Sequence, residues 1–185
     1  ELVGLPVDLI VAQGPAVAQI AALGLPVPIV FVTSSDPVVS GLAESLAKPI
    51  GDKTGLTFMA FEFASKRLEM LRELMPTVER VAVFGNPEHF GMERERTFSE
   101  EAGRRLGLDV GFSSMSARAD IDEAFRRVVR DRFQAISLLA DGFAVQNRQV
   151  ILDFATERNI PVVSGWPVFA ESGAFFTYGP RLSAS

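Results

Sequence analysis

The sequence lacks cysteine altogether and contains a single histidine, His89, among its 185 residues. Without cysteine the chain has no disulfide framework, no thiolate nucleophile and no cysteine-ligated zinc or iron–sulfur site. One histidine excludes a histidine-rich metal site and leaves little material for imidazole acid–base chemistry. The sequence therefore predicts no metal site and no cofactor.

The signature motifs of several enzyme classes are missing too. The sequence contains no G-x-S-x-G nucleophile elbow, no G-x-x-x-x-G-K-[ST] phosphate loop, no H-E-x-x-H zinc motif and no G-x-G-x-x-G dinucleotide fingerprint. Basic residues are in the minority, 18 against 23 acidic ones, and the net charge of −5 is unfavourable for a nucleic-acid binder. These absences favour a binding protein over an enzyme, with no catalytic residue and no nucleic-acid partner.

Charge is scarce at the start of the chain. Residues 1–60 hold two basic and five acidic residues, and no charge falls between Asp8 and Asp36. That apolar stretch is longer than the roughly 20 residues of a membrane span, but glycine and proline interrupt it. They lie at Gly14, Pro15, Gly24, Pro26 and Pro28. The stretch therefore favours strand, turn, helix, turn and strand. The first residue is Glu1 and no signal-peptide pattern follows it, so we expect a chain that was processed or cut.

Short apolar runs alternate with amphipathic segments. We predict strands at 8–12, 28–32, 80–84, 108–112, 135–139, 160–163 and 174–178, and a strand or connector at 54–58. We predict helices at 16–22, 61–75, 88–106, 120–132 and 145–158, a weak helix at 38–47 and a helical turn at 166–170. Asp120 is predicted as an N-cap and Gly107 as a C-cap. The alternation predicts parallel sheets built from βαβ units, and the rise in charge density near residue 61 predicts two α/β lobes.

Candidate ligand-binding residues follow the strands, because open α/β sheets bind ligands at the carboxyl ends of their strands. They are Gly14, Pro15, Thr33, Ser34, Ser35, Asp36, Asn86, Pro87, Asp141, Gly142 and Trp166. Each also has a structural interpretation, since Ser, Asp and Asn cap helices, Asp-Gly forms turns and a lone Trp packs in cores. Local sequence alone favours capping at residues 33–36 and a solvated helix position for His89.

The order of short motifs resembles a known family. The motifs are Val7-Asp8-Leu9-Ile10-Val11, Pro28-Ile29-Val30-Phe31-Val32 with Ser35-Asp36-Pro37-Val38, Thr54-Gly55-Leu56, Val81-Ala82-Val83 with Asn86-Pro87, Ile160-Pro161-Val162-Val163, and Glu171-Ser172-Gly173-Ala174 running into Tyr178-Gly179-Pro180. Together they resemble the periplasmic substrate-binding components of ABC transporters, in the group for tryptophan, tyrosine and related small molecules. The resemblance implies a type I periplasmic binding fold, with two Rossmann-like lobes of parallel sheet and ligand in the cleft between them.

The resemblance also implies an organisation and a site. It implies a partial lobe one at 1–56, lobe two at 57–175 and a hinge crossing back to lobe one at 176–185. The loop Ser35-Asp36-Pro37 matches the family's strand-end loop in lobe one, and Asn86-Pro87 matches the facing loop in lobe two. With the resemblance, a cleft role for Ser34 to Asp36 is favoured over capping alone.

The implied function is capture of an amino acid or related carboxylate by hinge closure, followed by docking on an ABC transporter permease. Asp36 or Asp141 would pair with an amine, and Trp166 or Phe143 would stack on an aromatic portion. The implied location is periplasmic, with membrane contact only through the permease or a lipid anchor outside this chain. Two alternatives stay open: the ligand-sensing core of a transcription regulator or chemoreceptor, and a hydrolase or isomerase that uses His89.

Overall fold

Strands and helices alternate along the part of the chain that the structure describes, a computed structural model covering residues 6–14, 16–89, 91–139 and 141–180. Contacts between Cα atoms divide the chain into two units, Glu1–Met59 and Ala60–Ser185. Both units contain a parallel sheet with helices, so the predicted α/β fold class is confirmed. The assignment of 1–56, 57–175 and 176–185 to two lobes and a hinge stays a prediction.

The first unit is a small parallel sheet. Its elements in chain order are β1 (Ile10–Gln13), α1 (Ala16–Ala22), β2 (Ile29–Thr33), β3 (Ala43–Ser45), β4 (Lys48–Pro49) and β5 (Lys53–Thr57). The parallel sheet has the order β1-β2-β5, and β3 and β4 form a separate antiparallel pair. The carboxyl ends of β1, β2 and β5 therefore lie on one edge.

The two faces of this sheet differ in exposure. On one face Ala12 and Phe31 pack with Val17 of α1 and with Leu42. On the other face Val11 is 70% exposed and Leu56 is 68% exposed. Parallel sheets are ordinarily covered by helices on both faces. This second face is apolar, as a covered face would be, but no element among the described residues covers it.

The predicted weak helix at 38–47 is wrong. Residues after Pro37 form turns in which Leu42 and Ala43 donate backbone hydrogen bonds to the Pro37 carbonyl, at 2.8 and 3.1 Å. Gly41 takes a left-handed conformation with φ of 67°, which a helix interior does not allow. The chain then enters β3, where Ala43 pairs with Pro49. The turn geometry thus prevails over the weak helical pattern.

The second unit is a five-stranded parallel sheet with helices on both faces. Its elements are α2 (Ala60–Leu74), β6 (Arg80–Gly85), α3 (Met92–Leu106), β7 (Asp109–Ser114), α4 (Arg118–Arg130), β8 (Ala135–Leu138), α5 (Gly142–Gln146), α6 (Arg148–Glu157), β9 (Val162–Ser164), α7 (Pro167–Glu171) and β10 (Phe176–Thr177). The strand order is β10-β9-β8-β6-β7, and every pair is parallel.

The central strands β6 and β8 are buried on both faces. Phe84 and Ile136 pack in the larger core cluster, which includes Ile121 of α4 and Ile151 of α6. Alternate residues of the same strands face a second cluster, built from helices α2 and α3 among others. Short, continuously apolar runs are what a doubly covered parallel sheet requires, which is why these strands were predictable.

Several helix boundaries differ from the prediction. The segment at 88–106 is helical only from Met92, and residues 145–158 are divided between α5 and α6, with Asn147 between them. Gly107 is a left-handed C-cap as predicted. Asp120 is not the N-cap of α4 but lies in its first turn, where its carboxylate accepts hydrogen bonds from the Ser116 and Ala117 amides and from the Ser116 hydroxyl, which lower its pKa.

Across the described residues, every helix is too short or too polar to cross a membrane.

The packing of α2 generates a stability prediction. Leu71 is fully buried in the second core cluster, whereas Leu74 of the same helix is 58% exposed. Replacing Leu71 with Ala removes buried apolar contacts and leaves a cavity, so we expect a loss of about 2–5 kcal/mol in the free energy of unfolding. Leu74→Ala, the matched control, should change it by less than about 0.5 kcal/mol. Urea unfolding of both variants measures this, and equal losses would contradict the assigned burial.

Candidate ligand-binding site

The topology of the second unit brings two predicted site residues into contact. Asn86 follows β6 and Asp141 follows β8, and these strands are neighbours in the sheet. The Asn86 Nδ2 donates a hydrogen bond to Asp141 Oδ2 at 3.2 Å, across 55 positions of sequence. The Asn86 Oδ1 accepts from the Glu88 amide at 2.9 Å, which orients the side-chain amide. A carboxylate and a primary amide thus meet at the carboxyl edge of the sheet.

Asp141 also caps the helix that follows it. Its Oδ1 accepts hydrogen bonds from the Phe143 amide at 2.8 Å and the Ala144 amide at 3.2 Å, so the side chain is the N-cap of α5. Gly142 begins that helix and is exposed, and Pro87 is exposed in the turn after Asn86. The structural role of Asp141 as a cap and its place beside Asn86 coexist, because its two carboxylate oxygens serve different partners.

His89 belongs to the same strand-end loop, which local sequence did not reveal. It lies in the turn before α3 and is half-buried, so the interpretation as a solvated helix residue is wrong. The Gly91 amide donates to His89 Nδ1 at 3.3 Å, which assigns the proton of the neutral ring to Nε2. Burial lowers the pKa of His89, and the Asp141 carboxylate acts in the opposite direction. The imidazole is therefore mainly neutral at pH 7.

Trp166 lies at the N-cap position of α7, and Gly165 separates it from the end of β9. Its backbone amide donates to Ser164 Oγ at 3.3 Å, and its half-buried ring packs against the larger core cluster. Phe143 of α5 packs against the same cluster. Both rings therefore contribute to the core at the strand-end side of this unit, and stacking on a ligand stays a prediction for each.

In the first unit, the predicted hydroxyl residues form a network at the end of β2. Thr33 Oγ1 and Ser35 Oγ lie 2.7 Å apart and both residues are buried. Thr57, at the end of β5, donates its hydroxyl to the Ser35 carbonyl at 2.6 Å. The network ties the ends of the two neighbouring strands together, so Thr33 and Ser35 have a structural role at this edge.

The N-cap interpretation of Asp36 is wrong because no helix follows it, and its carboxylate instead stabilises the turn after β2. Its Oδ1 accepts from the Val38 amide at 2.9 Å and the Val39 amide at 3.3 Å. Ser34 and Asp36 are half-buried, in contrast to the buried Thr33 and Ser35. Gly14 follows β1 at the same edge with φ of 60°, while Pro15 lies outside the described residues. Within the described ranges, no group of three His, Asp or Glu side chains is arranged to hold a metal ion.

The single histidine allows a clean test of the loop geometry. In an NMR titration, His89 should titrate below its ordinary value of 6.5, because burial disfavours the charged ring. Asp141→Asn removes the carboxylate that favours the charged form, so the pKa of His89 should fall further. Asp153→Asn, which removes an exposed carboxylate from α6, should leave the titration unchanged. A rise of the His89 pKa in Asp141→Asn would contradict this arrangement.

Comparison with known proteins agrees with the fold. The tyrosine-binding protein of Clostridioides difficile (strain R20291) is 24% identical over 174 residues, which are 93% of this chain and 49% of that protein. The chain therefore spans about half the length of the curated relative that it matches. The ABC domain in complex with L-Trp from Streptococcus pneumoniae superposes with a TM-score of 0.80 at 19% identity, covering 94% of this chain and 58% of that one.

The structure of a conserved domain protein from Vibrio cholerae O1 biovar El Tor superposes with a TM-score of 0.79 at 22% identity. The match covers 90% of this chain and 56% of that chain. Likenesses at this identity show a shared fold. The family model described as ABC transporter substrate binding protein matches residues 1–182, which is nearly the whole sequence. The chain therefore belongs to the family of ABC transporter substrate-binding proteins, as its sequence motifs predict.

Proposed function

We propose that this chain forms part of a substrate-binding protein that captures an amino acid for an ABC import system. The ligand is an amino acid with an aromatic side chain, bound at the strand-end loops of the two units and enclosed by hinge closure. The tyrosine-binding relative and the L-Trp complex support this class of ligand. The match to a transporter family favours this role over the sensing core of a regulator.

The contact between Asn86 and Asp141 carries the proposal. Their hydrogen bond is made at 3.2 Å at the carboxyl edge of the second sheet, where α/β proteins hold their ligands. A carboxylate oxygen has two lone pairs, so Asp141 Oδ2 can accept from a ligand ammonium as well as from Asn86. Asn86 offers a second amide hydrogen for a ligand carboxylate. The pair is thus suited to the zwitterionic end of an amino acid.

The neutral imidazole of His89 lies after β6 and the half-buried Trp166 lies after β9, on either side of β8, the strand that Asp141 follows. A ring system together with a few polar groups is typical of sites for small aromatic metabolites. In the first unit, Ser34 and Asp36 are the half-buried members of the strand-end group and are the proposed contacts there. The proposed ligand contacts are therefore strand-end loops in each unit.

The proposed partner is an ABC transporter permease, and the proposed location is the periplasm or the outer face of the cytoplasmic membrane. A protein in that role meets the membrane through its permease or through a lipid anchor outside this chain.

Calorimetric titration of the full-length protein tests the proposal. We expect L-tyrosine or L-tryptophan to bind, and the analogues without the amino group to bind much more weakly. Asp141→Asn should weaken binding of the amino acid by roughly 10–100-fold, the size of a hydrogen bond to a charged group. It should change binding of the deaminated analogue far less, because that analogue has no ammonium to pair.

Asp153→Asn is the matched control, since it removes one exposed carboxylate of the same unit and should leave both affinities unchanged. Failure of the wild-type protein to bind any amino acid would overturn the proposed function. Equal weakening of the amino acid and its deaminated analogue in Asp141→Asn would overturn the ammonium-pairing role of Asp141.

A further inference from the structure

A buried arginine lies at the strand-end edge of the second unit. Arg67 is on the buried face of α2, together with Ala64, Leu68 and Leu71, and only 2% of it is exposed. Arginine is rarely buried so fully, because removing its charge from water is costly unless it is paired. The position of its guanidinium therefore calls for a physical explanation.

The guanidinium joins the carboxyl ends of two strands. Nη2 donates to the carbonyl of Leu138, the last residue of β8, at 3.4 Å. Nη1 donates to the carbonyl of Tyr178, directly after β10, at 3.3 Å. The strand between them, β9, is followed by Gly165, and a Cβ at that position would lie 3.1 Å from Nη1. One side chain of α2 thus spans the ends of β8, β9 and β10.

Both acceptors adjoin segments that matter for ligand capture. Leu138 comes three residues before Asp141, so the guanidinium fixes the base of the loop that presents Asp141. Tyr178 lies within the predicted hinge segment 176–185. Its amide also donates to the Ser164 carbonyl at 2.9 Å, and its ring makes an edge contact with Phe63 of α2. Gly179 then passes so close to Gly165 that a Cβ on it would lie 2.3 Å from the Gly165 carbonyl oxygen.

Electrostatics keep this group charged despite its burial. Burial lowers the pKa of Arg67 to about 10, while the carboxylate of Glu95 on α3, itself buried, acts in the opposite direction. The guanidinium is therefore protonated at neutral pH and can donate to both carbonyls. Its Nε has no hydrogen-bond acceptor among the described residues, so the charge is held by Glu95 and the two strand-end carbonyls.

We propose that Arg67 is a positioning residue, which holds the Asp141 loop and the hinge exit after β10 in one rigid frame and so sets ligand affinity without touching the ligand. This inference rests on the proposed function for its affinity readout. It predicts that ligand binding depends on a side chain that makes no contact with the ligand.

The test compares variants of Arg67 with variants of Arg72, a matched residue of the same helix. Arg72 Nη1 also donates to two carbonyls, those of Pro76 and Val78, at 2.9 and 2.7 Å, but these precede β6 at the opposite edge of the sheet. Arg67→Met should weaken amino-acid binding by about tenfold or more. If this variant does not fold because Glu95 is left uncompensated, the double variant Arg67→Met with Glu95→Gln replaces it, with the same expected result. Arg67→Lys should fall between wild type and Met, whereas Arg72→Met should bind as wild type does.

A second readout separates positioning from general destabilisation. In the ligand-free protein at a temperature where every variant is folded, amide hydrogen exchange should rise in residues 141–146 and around 178–180 for Arg67→Met but not for Arg72→Met. Unchanged exchange in these segments would overturn the inference, whatever the wild-type protein binds. Wild-type affinity in a folded Arg67→Met variant would also overturn it, while leaving the proposed function in place. Absence of binding in wild type would instead defeat the proposed function, and the exchange comparison would still decide the role of Arg67.

Discussion

Parallel strand pairing is the constraint on which the rest of this structure depends. Every pair in the two main sheets is parallel, so the carboxyl ends of the strands in each sheet lie on a common edge. That geometry brings Asn86 and Asp141 to 3.2 Å although each belongs to a different βα unit. It is held by strands such as β8, whose residues are buried on both faces beneath helices on each side. The meeting of Asn86 and Asp141 is thus a consequence of a parallel sheet that is covered by helices on both faces.

The fold was predictable where hydrophobic pattern alone decides local structure. The amphipathic helix α2 and the apolar strands β6 and β8 follow directly from the sequence, because burial on one or both faces leaves a characteristic period. Residues 38–47 show the limit. Their composition tolerates a helix, but backbone hydrogen bonds to the Pro37 carbonyl and the left-handed Gly41 commit the chain to turns and a β-pair. Such competition between local hydrogen bonds leaves no periodic signal.

Some residues of the candidate site were predictable from the sequence and others were not. The strand-end rule predicted that Asn86 and Asp141 lie at one edge, since it needs only the strand positions. Local chemistry predicted a helix cap at Asp36, where the structure has a turn instead. His89 was missed because the break between β6 and α3 extends further than the helical pattern indicates. Arg67 lies between Lys66 and Leu68 and looks like part of a charged helix face, yet it is buried. Its carbonyl partners are 71 and 111 positions away, beyond the reach of any local pattern.

The most direct measurement of the central claim is amide hydrogen exchange in the full-length protein, with and without a saturating concentration of its tightest-binding amino acid. If the strand-end loops hold the ligand, exchange slows in residues 33–36, 86–89, 141–146 and 164–166. It stays unchanged at the opposite edge of the second sheet, in residues 78–80 and 107–109. Protection at that opposite edge, or at neither edge, would contradict the assignment of the ligand to the carboxyl ends of the parallel strands.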